Sequence, residues 1–470
     1  MTQFTSAVDL SEQFQSGLVS SAELVAESLQ RISDIDQRGY ELNSVLALNA
    51  SAPQDAIQVD LEKSGRQLEG LPILIKDNIE AIGLPATAGS LALVGRPVIA
   101  DSPLVARLRK AGAIIVGSTN LSEWANIRST NSTSGWSAVG GLTANPWIHA
   151  HSAGGSSSGS GAAIAAGLVS LAVGSETDGS IVCPAALNGC VGIKPTVGSI
   201  PRGGMVPISS SQDSPGSMAR SVADVALLLE VMMDRGDLLS GLHDTTHLRL
   251  GIVREWLTHH SETDSVFEAT LASLQKAGIE LVEVSLEAPA EAVSHDEFMV
   301  LKYELFDDLG KYLENRHGEG VRSLADVVHF NIHNDEFELK YFQQEIFDEA
   351  LLLGSKNSDY HIIRARNLEW ARRTLSEGLE GVDALIGTAY APAWISNLGG
   401  GDEYKTRSWA TMAPSIAGTP IGSLPMGFVA GLPVGITIAA GATDELNLVR
   451  VMARIESALA LGVLHPTFRK

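Results

Sequence analysis

Residues 151–189, HSAGGSSSGSGAAIAAGLVSLAVGSETDGSIVCPAALNG, set the tightest limits on how this chain can fold. A Ser/Gly cluster in isolation reads as a flexible linker. Here it runs straight into AAIAAGLVSLAVG, which is too apolar to stay in water, and then into a second cluster of small residues ending at Ser180. Linkers lie on surfaces, whereas two Ser/Gly loops bracketing a buried helix and strand bring backbone amides close to something. In GSETDGS, Gly174 to Ser180, the small side chains and a helix start expected beyond Ser180 let successive N–H groups converge on one point, as in an anion nest or oxyanion hole; a tight turn without a ligand is the competing reading. Neither loop contains GK[ST], which disfavours a nucleotide-binding P-loop.

A serine hydroxyl is a weak nucleophile until a base takes its proton. GSSSG, Gly155 to Gly159, formally matches GxSxG with Ser157 as nucleophile, but the preceding NPWIHAHSA is no buried strand for such an elbow. The other available base is Lys76, at the end of the apolar run LPILI in GLPILIKDNIE. Such a lysine can snorkel to the surface; buried, it loses hydration, its pKa falls and it becomes a usable base.

KDN after an apolar strand, then GGSSxG, then GxxxxGSIxxPA, with Ser156 and Ser180 24 residues apart, resembles the amidase signature family of Ser/cis-Ser/Lys hydrolases. The likeness continues through GSTNLSEWANI, GGLTANP, GCVGIKPTVGSIPRGG and DSPGSMARSVAD, and returns at AGTPIGSLPMG and GLPVGITI. The resemblance implies Lys76 as the triad lysine, Ser156 as the serine preceded by a cis peptide and Ser180 as the nucleophile. The amides of Thr177, Asp178, Gly179 and Ser180 would form the oxyanion hole. It implies acyl transfer from an amide to water, with no metal, nucleotide or organic cofactor.

The commonest family pattern, GTDxGGSIR, is altered here at Ser175, Glu176, Asp178 and Val182. ETDGSIVCPA, with LSEWAN and SGWSA nearby, is similar to the branch of bacterial peptide amidases, which implies terminal carboxamides of peptides or amino acid amides as substrates. Aryl acylamides, carbamates and oligomeric amides are the alternatives within the family. The A subunit of a tRNA-dependent amidotransferase shares the signature, but the acidic insertion and the ETDGSIV variant weigh against it. A non-catalytic binding protein is disfavoured because Lys76, Ser156 and Ser180 are all intact. Trp124, Trp136, Tyr390 and Trp394 are candidate pocket walls, with plain packing as the competing reading.

Helix and strand signals alternate through most of the 470 residues: Asp101–Ala111 before AIIVG, a capping box of Ser221 and Asp224 before the Val222/Val225/Leu229 stripe, and Phe267, Leu271 and Leu274 before IELVEV. Residues 290–380 are acidic, aromatic and helical in pattern, and DALIG and GLPVGITIAAG return to strand character beyond them. The expectation is an α/β fold with a central mixed β-sheet flanked by helices on both faces. We read residues 1–470 as a single amidase domain, with a signature core at about 60–240 and 380–470 and a helical elaboration at about 290–380.

With 44% hydrophobic and 19% charged residues, the chain is not a disordered polymer. The net charge of -22 makes nucleic acid and anionic membrane poor partners and leaves a small-molecule or peptide amide as the expected one. Residues 261–350 hold 21 Asp/Glu against 6 Lys/Arg, either a solvated face or a field acting on substrate charge. Cys183 and Cys190 match no zinc or disulfide pattern and read as buried free thiols. The N-terminal residues lack the pattern of a signal peptide, and no apolar run is long enough to span a bilayer, so a soluble, cytoplasmic protein is expected.

Overall fold

The computed structural model describes residues 2–403 and 408–470. Its strands are β1 (Val45–Leu48), β2 (Pro72–Lys76), β3 (Ile114–Thr119), a small ribbon of β4 (Trp136–Ser137) and β5 (Gly141–Leu142), β6 (Leu171–Glu176), β7 (Val191–Lys194), β8 (Ser214–Ala219), β9 (Arg249–Val253), β10 (Glu280–Val284), β11 (Ala384–Thr388), β12 (Ile421–Val429) and β13 (Leu432–Ala439). All but the ribbon join one eleven-stranded sheet in the order β1-β3-β2-β6-β8-β7-β12-β13-β11-β9-β10. β2 is parallel to both β3 and β6, β6 is antiparallel to β8, and β9 is parallel to β10 and β11, so the sheet is mixed.

Every residue of β2 and β6 is buried, as strands covered on both faces must be, and both are runs of apolar and small residues up to their last position, Lys76 in β2 and Glu176 in β6. Beside them the helix Ser158–Ala165, SGSGAAIA, is buried on all sides. Its glycines let it lie directly on backbone: a Cβ at Gly159 would stand 2.3 Å from Ser44 O. The opposite face is covered by Pro103–Lys110, Val222–Met233 and Glu445–Leu459, whose leucines and valines share a core with Ile73, Ile75 and Val173.

The helix Pro103–Lys110, strand β3, the helix Ser261–Lys276 and strand β10 fall where the periodicity predicts them. The capping box at Ser221 is half formed. Ser221 Oγ accepts from Asp224 N at 3.2 Å, but Asp224 Oδ1 accepts from Val8 N at 3.1 Å, because the N-terminal helix Ala7–Gln15 docks there and offers a free amide.

Four helices, Glu291–Asn315, Leu324–His333, Glu345–Leu353 and Ser358–Gly378, separate β10 from β11. Leu301, Leu305, Leu309 and Leu313 recur every four residues on the first, forming one buried stripe. The stripe belongs to a core that also contains Trp124, Ile127, Val206 and Ile208, so this helical layer covers loops leaving the centre of the sheet. Among the described residues no helix is long and apolar enough to cross a membrane.

Candidate active site

Parallel pairing of β2 with β6 brings together groups about a hundred residues apart in the chain. Ile75 sits opposite Val173, so Lys76 ends its strand beside Ser175, and its side chain is fully buried. Nζ lies 2.7 Å from Ser156 Oγ, 3.0 Å from Ser157 Oγ, 3.0 Å from Ser175 Oγ and 3.1 Å from Ser175 O. The peptide bond Gly155–Ser156 is cis. Burial presses the lysine pKa down to about 7, although the carboxylates of Asp213 and Glu176 oppose the shift.

Counting protons around Nζ shows what this arrangement can do. Ser157 Oγ donates its proton to Ser175 O at 3.0 Å, so toward the lysine it can only accept; the Ser175 carbonyl can likewise only accept. These two acceptors use both N–H bonds of an uncharged amine and leave its lone pair for one of two remaining hydroxyls, Ser156 at 2.7 Å or Ser175 at 3.0 Å, with Ser156 the nearer. An ammonium has a third N–H for the same hydroxyl. Both protonation states of Lys76 are therefore satisfied in one geometry, so a proton can move between Ser156 and Lys76 without rearrangement.

The turn after β6 is held from three sides. Glu176, the longer replacement for the family's usual aspartate, places Oε2 on Ile181 N at 2.6 Å and Val182 N at 2.9 Å, capping the helix Val182–Asn188. Thr177 Oγ1 donates to Asp213 Oδ1 at 2.6 Å, and Ser157 N donates to Ser180 O at 3.2 Å. Gly179 has φ +77°. Among the described residues, the amides of Asp178, Gly179 and Ser180 donate to no protein acceptor. The turn thus offers successive backbone N–H groups next to Ser180 that no protein acceptor occupies.

Ser156, Ser180, Thr177 and Asp178 line one cavity of about 380 Å³. Its walls include Ala125 and Asn126, both in left-handed conformation, with Phe298, Leu301 and Ile346 from the helical layer. Of the four aromatic wall candidates, Tyr390 lines this cavity. Trp124 instead packs edge-on against Phe347, Trp136 against Tyr341 and Phe342, and Trp394 Nε1 donates to Asp402 at 3.2 Å. Ser157, in the competing GxSxG reading, is fully buried and, unlike Ser156, is not among the residues lining this cavity. Both cysteines are buried and neither is in a disulfide, and Cys183 borders the cavity. Among the described residues no group of three His, Cys, Asp or Glu could hold a metal ion.

The amidase family model matches residues 23–449. The chain belongs to the amidase signature family. It is therefore an enzyme, a hydrolase of amide C–N bonds. The crystal structure of native peptide amidase from Stenotrophomonas maltophilia is similar at a TM-score of 0.92 and 37% identity over 99% of both chains. A peptide amidase in complex with the competitive inhibitor chymostatin is 38% identical, at a TM-score of 0.90, over 96% of this amidase and 97% of that one. Among curated proteins, the A subunit of the glutamyl-tRNA(Gln) amidotransferase from Salinispora tropica is 33% identical over 98% of each chain.

Proposed function

We propose that this amidase hydrolyses terminal carboxamides of peptides or amino acid amides through an acyl-enzyme on Ser180, and that the whole chain serves as one catalytic unit. The observation that carries the reading is the proton count at Lys76: a buried amine near neutrality, in contact with Ser156, which lines the same cavity as Ser180. Uncharged Lys76 accepts the Ser156 proton while Ser156 accepts that of Ser180, whose oxygen attacks the carboxamide carbon. The charge developing on the carbonyl oxygen meets the amides of residues 177–180. Collapse breaks the C–N bond, and the relay returns the proton to the leaving ammonia. Water then enters along the same relay, and the ester of Ser180 is hydrolysed to a carboxylate.

Similarity to peptide amidases over 99% of the chain supports the carboxamide substrate. Similarity to amidotransferase A subunits supports a second reading, in which the released ammonia passes to a partner enzyme. Incubating the isolated protein with a peptide carboxamide and measuring ammonia separates the two. Ser180→Ala should abolish release while preserving the melting temperature. Stoichiometric labelling of another serine by a sulfonyl fluoride would reject the nucleophile, and glutaminase activity without peptide deamidation would favour the second reading.

A further inference from the structure

Asp213 is fully buried on the loop that leads into β8, and both its carboxylate oxygens are committed. Oδ1 accepts from Thr177 Oγ1 at 2.6 Å, and Oδ2 accepts from the amides of Ile208 and Ser209, each at 2.9 Å. It therefore ties the first residue of the nucleophile turn to a backbone segment on the other side of the site. Asp213, Asn78, Ser175, Glu176 and Thr177 also enclose a void of about 10 Å³, no larger than one water molecule. Ser175 is the residue whose Oγ and carbonyl oxygen hold Lys76 Nζ, and Asn78 Nδ2 donates to the same Ser175 Oγ at 3.0 Å. The Asp213 carboxylate and Ser175, a direct partner of the amine, thus border one small void, which leaves little water beside that charge to screen it.

We propose that Asp213 is a positioning residue with two linked tasks: it fixes the turn that carries Ser180, and it supplies the buried negative charge that steadies Lys76 when the lysine takes up the relay proton. This rests on the reading of Lys76 as the base. The other groups facing the amine are Ser156, Ser157 and Ser175, which are uncharged, and Glu176; burial weakens the acidity of Glu176 and also pushes Asp213 up to about 6, so Asp213 carries its charge where Lys76, at about 7, exchanges its proton. Glu176 Oε2 already serves the amides of Ile181 and Val182. In the resting enzyme the carboxylates at Asp213 and Glu176 raise the affinity of Lys76 for a proton against the effect of burial, Asp213 being the stronger influence. During attack the same charge opposes the cost of forming a cation in a site without bulk water.

The test is the pH dependence of kcat for the full-length enzyme on a peptide carboxamide, followed by ammonia release. Asp213→Asn removes the charge and keeps the size; the rising limb of the profile should move about one unit toward lower pH, with kcat reduced at its plateau and KM changed little. Asp213→Ser is a second neutral variant should the first not fold, and Asp213→Glu, which keeps the charge, should leave the limb near its wild-type position. Thr177→Val removes only the hydrogen bond, so it should lower kcat without displacing the limb. A folded neutral variant whose limb coincides with that of the wild type would overturn the proposal. A wild-type profile with no limb that disappears in Lys76→Ala would remove the base reading beneath it, which is a different result.

Discussion

Gly179 lies between two constraints, and replacing it with alanine separates them. A Cβ there would stand 2.4 Å from the Tyr390 hydroxyl and 3.6 Å from Thr411 Oγ1. Relieving the first contact to an ordinary carbon–oxygen separation of about 3.3 Å requires a movement of roughly 1 Å. Tyr390 is 3% exposed and belongs to a core with Ala389, Ala393 and Met412, so the turn moves more easily than the ring. The residue also has φ +77°, where alanine costs about 1–2 kcal/mol. Displacing one oxyanion donor by that distance should lower kcat about 10²–10³-fold, with KM within a few-fold of wild type. Tyr390→Phe removes the offending oxygen and leaves the φ penalty in place. In that background Gly179→Ala should recover at least about tenfold of the lost kcat, by the same estimate for a single donor. The assay is ammonia release at saturating peptide carboxamide for the wild type, both single variants and the double. Equal losses in the two backgrounds would show that backbone strain alone is responsible, and a single variant with near-wild-type kcat would show that this turn does not carry the oxyanion.

Turnover should rise with pH through one ionisation near 7, since the uncharged amine is the active form and the Lys76 pKa lies at about 7; a limb that persists in Lys76→Ala would point to a different base. The acidic stretch 261–350 should discriminate weakly between cationic and anionic amides, because the members lining the cavity are Phe298, Leu301 and Ile346. Its nearby carboxylates Glu297, Glu304 and Glu345 are bonded to Gln212, Ser211 and Thr130 respectively. Raising salt to about 0.15 M should therefore change the kcat/KM ratio of a matched pair of substrates little, and a gap that closes with salt would restore the field of the stretch; a gap that survives salt belongs to Asp178 on the cavity wall. Arg128→Met should destabilise the fold by about 3–5 kcal/mol in chemical denaturation near pH 8, because it strands Glu123, its fully buried partner at 2.8 Å. Burial already raises the Glu123 pKa, so the loss should shrink on acidification as the stranded carboxylate takes up a proton.

Parts of this site are legible in the sequence because they follow local rules. An apolar run ending in a lysine, and glycines where a turn must adopt positive φ, mark Lys76 and the turn at Gly179 without reference to anything distant. The groups that make Lys76 useful are not legible in that way. Ser175 contacts it only because β2 and β6 pair in one particular register, where a shift of one residue would turn it to the other face, and Ser157 reaches it from the start of the helix Ser158–Ala165 through its bonds to Ser175. The reach of Glu176 across the turn depends on one extra methylene and on where the next helix begins. Asp213 stands in DSPGSMARSVAD, within the stretch that carries the family likeness, yet nothing in its spacing says that it meets Thr177. The cavity walls were the least legible: Leu301 belongs to a leucine stripe that any core helix would show, and Trp124 and Trp136, large enough to suggest a binding surface, are used to anchor the helical layer. The charge on residues 261–350 reads from sequence either as a solvated face or as a field on the substrate, and sequence does not show that the members of the stretch on the cavity wall are the apolar Phe298, Leu301 and Ile346.

The order of strands also sets a timetable for synthesis. β9 and β10 emerge as a parallel pair joined by the helix Ser261–Lys276, but among the described residues they join the rest of the sheet through β11, which pairs with β9 through Ala384–Ile386. Val284 and Ala384 are 100 residues apart, so at about 5–20 residues per second a ribosome takes about 5–20 s to deliver the docking strand. Throughout that interval β9, with Leu250 and Ile252 destined for the core, presents an open edge. A nascent chain of this enzyme therefore passes through a window in which it can pair with the wrong neighbour, and lowering the growth temperature or supplying a holdase during expression should matter most for variants altered in this unit.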